Sequence, residues 1–130
     1  MAEITCTGQT TQAINQALKQ LIAAGATEIT VQQPAARHNL GVALLQPVKV
    51  TFAGSVGYYC AGLSDGATVE IQGSAGWGLA ESMLSGTVTV EGNAGNGAAA
   101  AQRGGTVVIQ GDAAARAGVS MKGGVLLIGG

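Results

Sequence analysis

The chain has 130 residues, of which 47% are hydrophobic, 10% are charged and 3% are aromatic, with a formal net charge of −1 at pH 7. This length favours a single domain, and the composition excludes a disordered chain and argues against a nucleic-acid binder, which usually carries a basic excess. No apolar run approaches the roughly 18 residues of a membrane span, and no signal-peptide pattern is visible. With only two cysteines, Cys6 and Cys60, we expect a cytoplasmic protein with reduced thiols.

The first predicted element is an amphipathic helix over residues 11–24. Thr10 or Thr11 can cap its first turn, and Gly25 can end it in a left-handed conformation. The apolar face, spaced as one side of a helix, consists of Ile14, Leu18, Leu21 and Ile22. The expected solvent-facing side consists of Asn15, Gln16, Lys19 and Gln20.

A strand is predicted over residues 28–31, where Ile29 and Val31 alternate with polar residues, and Pro34 ends it. The composition changes near Pro47, because 19 of the 22 glycines lie from Gly54 onward. We therefore divide one structural unit into an N-terminal cap, residues 1–47, and a repeat region, residues 48–130.

The repeat region has a strict period. Gly54, Gly73, Gly92, Gly111 and Gly130 are each 19 residues apart, and no slip interrupts the register. Before each of these glycines, apolar residues occupy alternate positions, as a strand requires, and the residues between them are Thr51, Glu70, Thr89, Val108 and Leu127. The inward pairs are Val50 and Phe52, Val69 and Ile71, Val88 and Val90, Val107 and Ile109, and Leu126 and Ile128.

A 19-residue unit with one strand cannot bury its apolar face alone, but it can do so by stacking on identical neighbours. The sequence therefore predicts an all-β solenoid, a right-handed parallel β-helix with 19-residue turns, preceded by one α-helix. Glycine is expected at the corners, where a positive φ is needed, and alanines such as Ala61, Ala80 and Ala99 in the narrow interior. A left-handed hexapeptide helix and a calcium-binding nonapeptide roll fit less well, because the six-residue rhythm and recurrent turn aspartates are missing.

Few residues are candidates for a functional surface. Tyr58 and Trp77 share a column of the repeat, so their rings are expected to stack on one wall, either as an interface or as a local core plug. No catalytic, cofactor-binding or metal-binding residue emerges from the pattern. The residues proposed for a partner interface are Arg37, His38, Tyr58, Tyr59, Trp77, Arg103 and Lys122.

The C-terminal run from Val125 to Gly130 is apolar and has no polar cap. An open solenoid end exposes unpaired backbone groups, so we expect further chain or another subunit to cover it.

The coil pattern Gly-x-Ala-Gly, followed by small residues, Gly-Gly and a β-branched strand, resembles the GXGXG domain. That domain occurs at the C-terminus of the glutamate synthase large subunit and in one of the subunits of formylmethanofuran dehydrogenase. The resemblance covers about residues 36–130. Three segments, 36–40, 57–62 and 118–123, look closer still to the stand-alone GXGXG subunit of N-methylglutamate synthase-type complexes, which is usually longer.

The resemblance implies a non-catalytic scaffold subunit in a hetero-oligomeric, glutamate synthase-like complex. Its partners would be an amidotransferase-type subunit and a synthase subunit that carries FMN and an iron–sulfur cluster, with no cofactor on this chain. Two cysteines are too few for a cluster that takes about four. The alternatives are a scaffold of a formylmethanofuran dehydrogenase or formyltransferase/hydrolase complex, an independent solenoid enzyme such as a polysaccharide lyase, and a ligand-binding module that uses Arg37, His38 and the Tyr58–Trp77 wall.

Overall fold

The computed structural model describes residues 2–130, and within them one helix interrupts a succession of short strands. Each strand is separated from the next by glycine-rich connections or by the helix. In chain order the elements are β1 (Ala2–Thr5), α1 (Thr11–Ala23), β2 (Glu28–Gln32), β3 (Lys49–Ala53), β4 (Asp65–Ile71), β5 (Ser85–Val90), β6 (Thr106–Ile109) and β7 (Val125–Ile128).

The seven strands form a single parallel sheet in which their spatial order is their order along the chain. Two consecutive parallel strands need a crossover connection. Each connection therefore carries the chain back to the end of the sheet at which all the strands begin. The result is a β-solenoid of about five turns with one N-terminal helix, which confirms the predicted solenoid. Its right-handedness stays a prediction from the crossover rule.

The predicted register holds along the later strands. Val50 pairs with Val69, and from there the partner of each residue lies 19 positions further on, through Val88 and Val107 to Leu126. A second, shorter parallel ladder joins Val56, Ala75, Ala94 and Ala113 across the coil. The inward residues of β3 to β6 are completely buried and form the core.

The first two connections are longer than a repeat. Ala2 pairs with Ile29 because α1 occupies the connection between β1 and β2. Ile29 pairs with Val50, 21 positions later, so β2 and β3, on either side of Pro47, are adjacent strands of the same sheet. Strand β1 was not predicted. Its four residues are too few for the alternation to stand out in the sequence.

The spacing of the repeated glycines is exact, but the strand pairing departs from the 19-residue register at the start of β4. Asp65 pairs with Ser85, 20 positions away, whereas Thr68 pairs with Thr87, 19 positions away, so β4 contains a bulge. Gly66 therefore corresponds to Gly86 rather than to Ser85. The additional residue of β4, Ala67, is completely buried, and its carbonyl oxygen would collide with a Cβ at Gly86.

The structure also corrects the role given to the repeated glycines. Gly73, Gly92 and Gly111 do not have a positive φ; instead, a Cβ at each would lie under 3.0 Å from atoms of the preceding coil. Close packing between coils requires glycine there. Much of the left-handed backbone belongs to other residue types, including the buried Ala61, Ala80 and Ala99, whose φ values are 58°, 54° and 57°.

Helix α1 begins and ends as its sequence signals indicate. The Thr10 hydroxyl accepts a hydrogen bond from the Ala13 amide at 3.1 Å, and Gly25 follows the helix with a φ of 98°. Ile14 and Leu18 are fully buried in the same core as the strands. Asn15 was wrongly placed on the solvent side. Its side chain is half-buried and bridges the chain near Asn39, as described below.

No helix among residues 2–130 is both long and apolar enough to cross a membrane.

Candidate functional site

Three rings from successive coils stack on the outside of the solenoid, and we call His38, Tyr58 and Trp77 the aromatic ladder. The His38 and Tyr58 centroids are 4.4 Å apart with planes at 30°, and the Tyr58 and Trp77 centroids are 5.5 Å apart with planes at 17°. The predicted wall of Tyr58 and Trp77 is therefore present. It extends to His38, which the sequence did not place in the same column, because the coil between His38 and Tyr58 has 20 residues rather than 19.

The first ring of the ladder is fixed by a hydrogen bond as well as by stacking. The backbone amide of Tyr58 donates to His38 Nδ1 at 2.8 Å, and the amide of Asn39 donates to the Tyr58 carbonyl at 2.7 Å. A nitrogen that accepts a hydrogen bond carries no proton, so neutral His38 has its proton on Nε2. Its Nδ1 acts as a structural acceptor between two coils.

Glycines beside the ladder make room for its rings. A Cβ at Gly57 would collide with His38 Nδ1, one at Gly76 would lie 2.8 Å from Tyr58 Cδ1, and one at Gly95 would lie 2.7 Å from Trp77 Cδ1. Each ring thus lies against the bare backbone of the following coil. This is a packing reason for the first glycine of each Gly-x-Gly segment, Gly76 and Gly95.

Tyr59 stands beside the ladder and forms one end of a groove. Its ring meets Tyr58 edge-on, with centroids 6.4 Å apart and planes at 80°, and it lies across Gly78. Beyond it, an open groove of about 450 Å³ crosses the next coils. We call this cavity the ladder groove. Its main side chains are those of Tyr59, Trp77, Glu81, Asn96, Arg116 and Val119, and its floor includes Gly78, Gly97 and Ala100.

Glu81, Asn96 and Arg116 were not among the predicted site residues. The signal that could have identified them is the 19-residue register itself. Arg116 lies 57 positions after Tyr59 in the same column, and the two positions between them, Gly78 and Gly97, are glycines. Two bare positions between two large side chains in one column predict a depression in the wall.

Arg37 points towards the interior of the first coils, not out beside the ladder. Its Nη2 donates to the Cys6 carbonyl at 3.0 Å, while its Nε is buried with no hydrogen-bond partner among residues 2–130. Arg103 and Lys122, by contrast, are exposed. They lie 19 positions apart, immediately before the glycine pairs that lead into β6 and β7, and neither lines the ladder groove.

Both cysteines are free and completely buried. Burial raises the pKa of the Cys60 thiol, and a backbone hydrogen bond at Ala61 offsets this only in part. Burial also raises the pKa of Cys6, against the opposing effect of the nearby Arg37 guanidinium. Both thiols therefore stay protonated near neutral pH. Within residues 2–130, no group of three or more His, Cys, Asp or Glu side chains is arranged to hold a metal ion.

One part of the chain is similar to a known protein. A stretch of 41 residues is 49% identical to Protein GlxC of Rhizobium meliloti (strain 1021). The match covers 32% of this chain and 18% of Protein GlxC, so the chain spans only a small part of that relative. No protein-family profile and no solved structure matches the chain.

Proposed function

We propose that the chain is a non-catalytic scaffold subunit of a glutamate synthase-like complex. The observation that carries this proposal is the stack of 19-residue coils, whose Gly-x-Ala-Gly segments resemble the GXGXG domain and which folds as a parallel solenoid. The local similarity to Protein GlxC is in keeping with the same assignment. The partners would be an amidotransferase-type subunit and a synthase subunit that holds FMN and an iron–sulfur cluster.

The chemistry of the described side chains supports a structural role. The two thiols are buried and have raised pKa values, whereas a nucleophilic cysteine needs an accessible thiolate. His38 Nδ1 accepts a hydrogen bond from the backbone amide of Tyr58 and thereby links two coils. The two cysteines thus belong to the buried core, and His38 belongs to the contact between two coils.

The exposed rings of the aromatic ladder, together with the neighbouring ring of Tyr59, support a contact with a partner subunit. Tyr58, Tyr59 and Trp77 keep 41%, 45% and 52% of their surface exposed. Tyrosine and tryptophan are enriched at the centres of protein interfaces, because they bury a large area with little loss of conformational freedom. In the proposed complex, this wall packs against a larger subunit.

Affinity capture of the tagged chain from its native host tests the proposal. We expect larger partners to copurify in fixed ratio and to bring flavin absorbance and iron with them. A Tyr58→Ala variant should capture less of these partners, because it removes the middle ring of the ladder. Gln110→Ala, which changes an exposed residue elsewhere, should capture the normal amount. Recovery of the chain alone, as a monomer that catalyses a reaction without a partner subunit, would show that the proposal is wrong.

A further inference from the structure

The ladder groove contains two opposite charges that do not neutralise each other. Glu81 and Arg116 both line it, yet neither forms an ion pair with any residue in the described range 2–130. Charged side chains that share a groove without pairing are available to a ligand. The question is which ligand matches their separation and surroundings.

The separation follows from the coil geometry. Glu81 belongs to the same turn as Gly78, and Arg116 lies in the same column as Gly78 two coils later. Stacked coils are spaced by about 4.8 Å, so the backbones of the two residues are offset by about 10 Å along the solenoid axis. Gly97 lies in the intervening coil, and a Cβ there would meet nothing within 4 Å. The space between the charges is therefore open.

The end of the groove at Glu81 is suited to a cation. The position that a Cβ at Gly78 would occupy overlaps the Tyr59 ring and is 3.4 Å from Glu81 Oε2, so the ring and the carboxylate meet over one glycine. Trp77 is nearly parallel to Tyr58, whereas Tyr59 is nearly perpendicular to it, so the planes of the Tyr59 and Trp77 rings are steeply inclined to each other. Two aromatic side chains and a carboxylate that line the same part of a groove favour an organic ammonium group.

The end at Arg116 is suited to a carboxylate, because a guanidinium presents paired donors that match its two oxygens. We propose that the ladder groove binds a short, extended aminocarboxylate, with its ammonium group against Tyr59, Trp77 and Glu81 and its carboxylate on Arg116. The methylene chain of the ligand would lie over Gly97 and along Val119. This proposal does not depend on the scaffold role, because it concerns the chain without a partner on Tyr59 and Trp77.

A ligand that reaches both ends of the groove has to bridge two coils. Because the backbones at Glu81 and Arg116 are offset by about 10 Å along the axis, the ammonium and carboxylate groups of the ligand must be separated by several methylene groups. We therefore propose amino acids with a terminal amino group and four to six carbons, whereas glycine, with one carbon between its charged groups, is too short.

Trp77 is the single tryptophan of the chain, so its fluorescence reports directly on the groove. The purified full chain is titrated with 4-aminobutanoate and 6-aminohexanoate at constant ionic strength, and with butylamine, butanoate and glycine for comparison. We expect a saturable change with the two aminocarboxylates, and at least about fivefold weaker binding of the compounds that lack one charge or the length. Equal binding of butylamine, or no saturation with either aminocarboxylate, would overturn the proposal.

Variants assign the binding to the two ends. Glu81→Gln and Arg116→Gln should each weaken binding of 4-aminobutanoate by about fivefold, because each removes the charge at one end of the ligand. The matched controls Glu91→Gln and Lys19→Gln change exposed charges outside the groove and should leave the affinity unchanged. Affinities of Glu81→Gln and Arg116→Gln that equal those of the unaltered chain would contradict the assignment.

A steric variant tests the floor without changing any charge. Gly97→Leu places a side chain into the open space between the two ends and should abolish binding, with the fold checked by circular dichroism. If this variant does not fold, the two charge variants still decide the outcome. Because binding is measured on the chain alone, it is independent of whether partner subunits copurify.

Discussion

At the scale of single residues, the glycines of this chain have two distinct roles that the sequence does not separate. Gly73 has ordinary backbone angles, but a Cβ there would lie 2.7 Å from both the amide nitrogen and the hydroxyl oxygen of Ser55. Gly97 has a φ of 72°, but a Cβ there would have open space around it. Both glycines belong to the same kind of repeat, yet one is required by contact between coils and the other only by its backbone angle.

A pair of substitutions distinguishes these roles. Gly73→Ala should lower the free energy of unfolding by about 2–3 kcal/mol, because backbone of the neighbouring coil must move. Gly97→Ala should cost only about 1 kcal/mol, the usual penalty for a left-handed alanine. Urea unfolding followed by circular dichroism measures both. Equal losses for the two variants would contradict the assigned roles.

At the scale of elements, the sequence predicted those parts in which a periodic pattern repeats. The alternation of Val69 and Ile71 recurs in the other coils, so β3 to β7 could be located, and the cap at Thr10 located α1. The bulge at Ala67 could not be predicted, because one additional residue in β4 is compensated in the next coil and the overall period stays at 19. The stacking of His38 was missed for a related reason, since its coil is one residue longer.

The attachment of α1 depends on a polar residue rather than only on its apolar face. Asn15 Nδ2 donates to the Asn39 carbonyl at 2.7 Å, and Asn15 Oδ1 accepts from the amide of the buried Gly41 at 2.9 Å. One side chain thus satisfies two backbone groups of the segment that follows β2. The helix and the beginning of the ladder are held together by this bridge.

Asn15→Ala should therefore destabilise the protein, although alanine is the better helix former. Loss of the acceptor for the buried Gly41 amide costs about 1–3 kcal/mol, and the gain in helix propensity offsets roughly 0.5 kcal/mol of it. The control Gln16→Ala changes the adjacent exposed residue and should alter the free energy of unfolding by no more than about 0.5 kcal/mol. Thermal and urea unfolding measure both variants, and a neutral effect of Asn15→Ala would show that the bridge contributes nothing.

At the scale of the whole molecule, the core is not uniform along the solenoid axis. The buried hydrophobic residues extend from Ile4 to Ile109, and none follows among the remaining described residues. Leu126 is half-buried, whereas Val125, Leu127 and Ile128 are 47%, 54% and 43% exposed. The repeat predicted the same inward side chains in every coil, but burial also needs a neighbour on both sides. The candidate site has the same dependence, since the ladder groove arises from several coils together.

This gradient predicts that, in the isolated chain of residues 1–130, the solenoid opens from its last described coil. The amides of Thr68 and Val125 occupy equivalent positions and donate to the preceding coil at 2.8 and 2.9 Å, so their hydrogen bonds alone do not distinguish them. In a stacked-repeat protein, each coil is stabilised by its neighbours, and Val125 lies in a strand that pairs on one side only within residues 2–130. Native-state hydrogen exchange should therefore show Val125 opening at a free energy several kcal/mol below that of Thr68. The pair Gln72 and Gly129, at 2.9 and 2.8 Å, should behave in the same way. Equal exchange free energies within both pairs would mean that the solenoid unfolds as one cooperative unit.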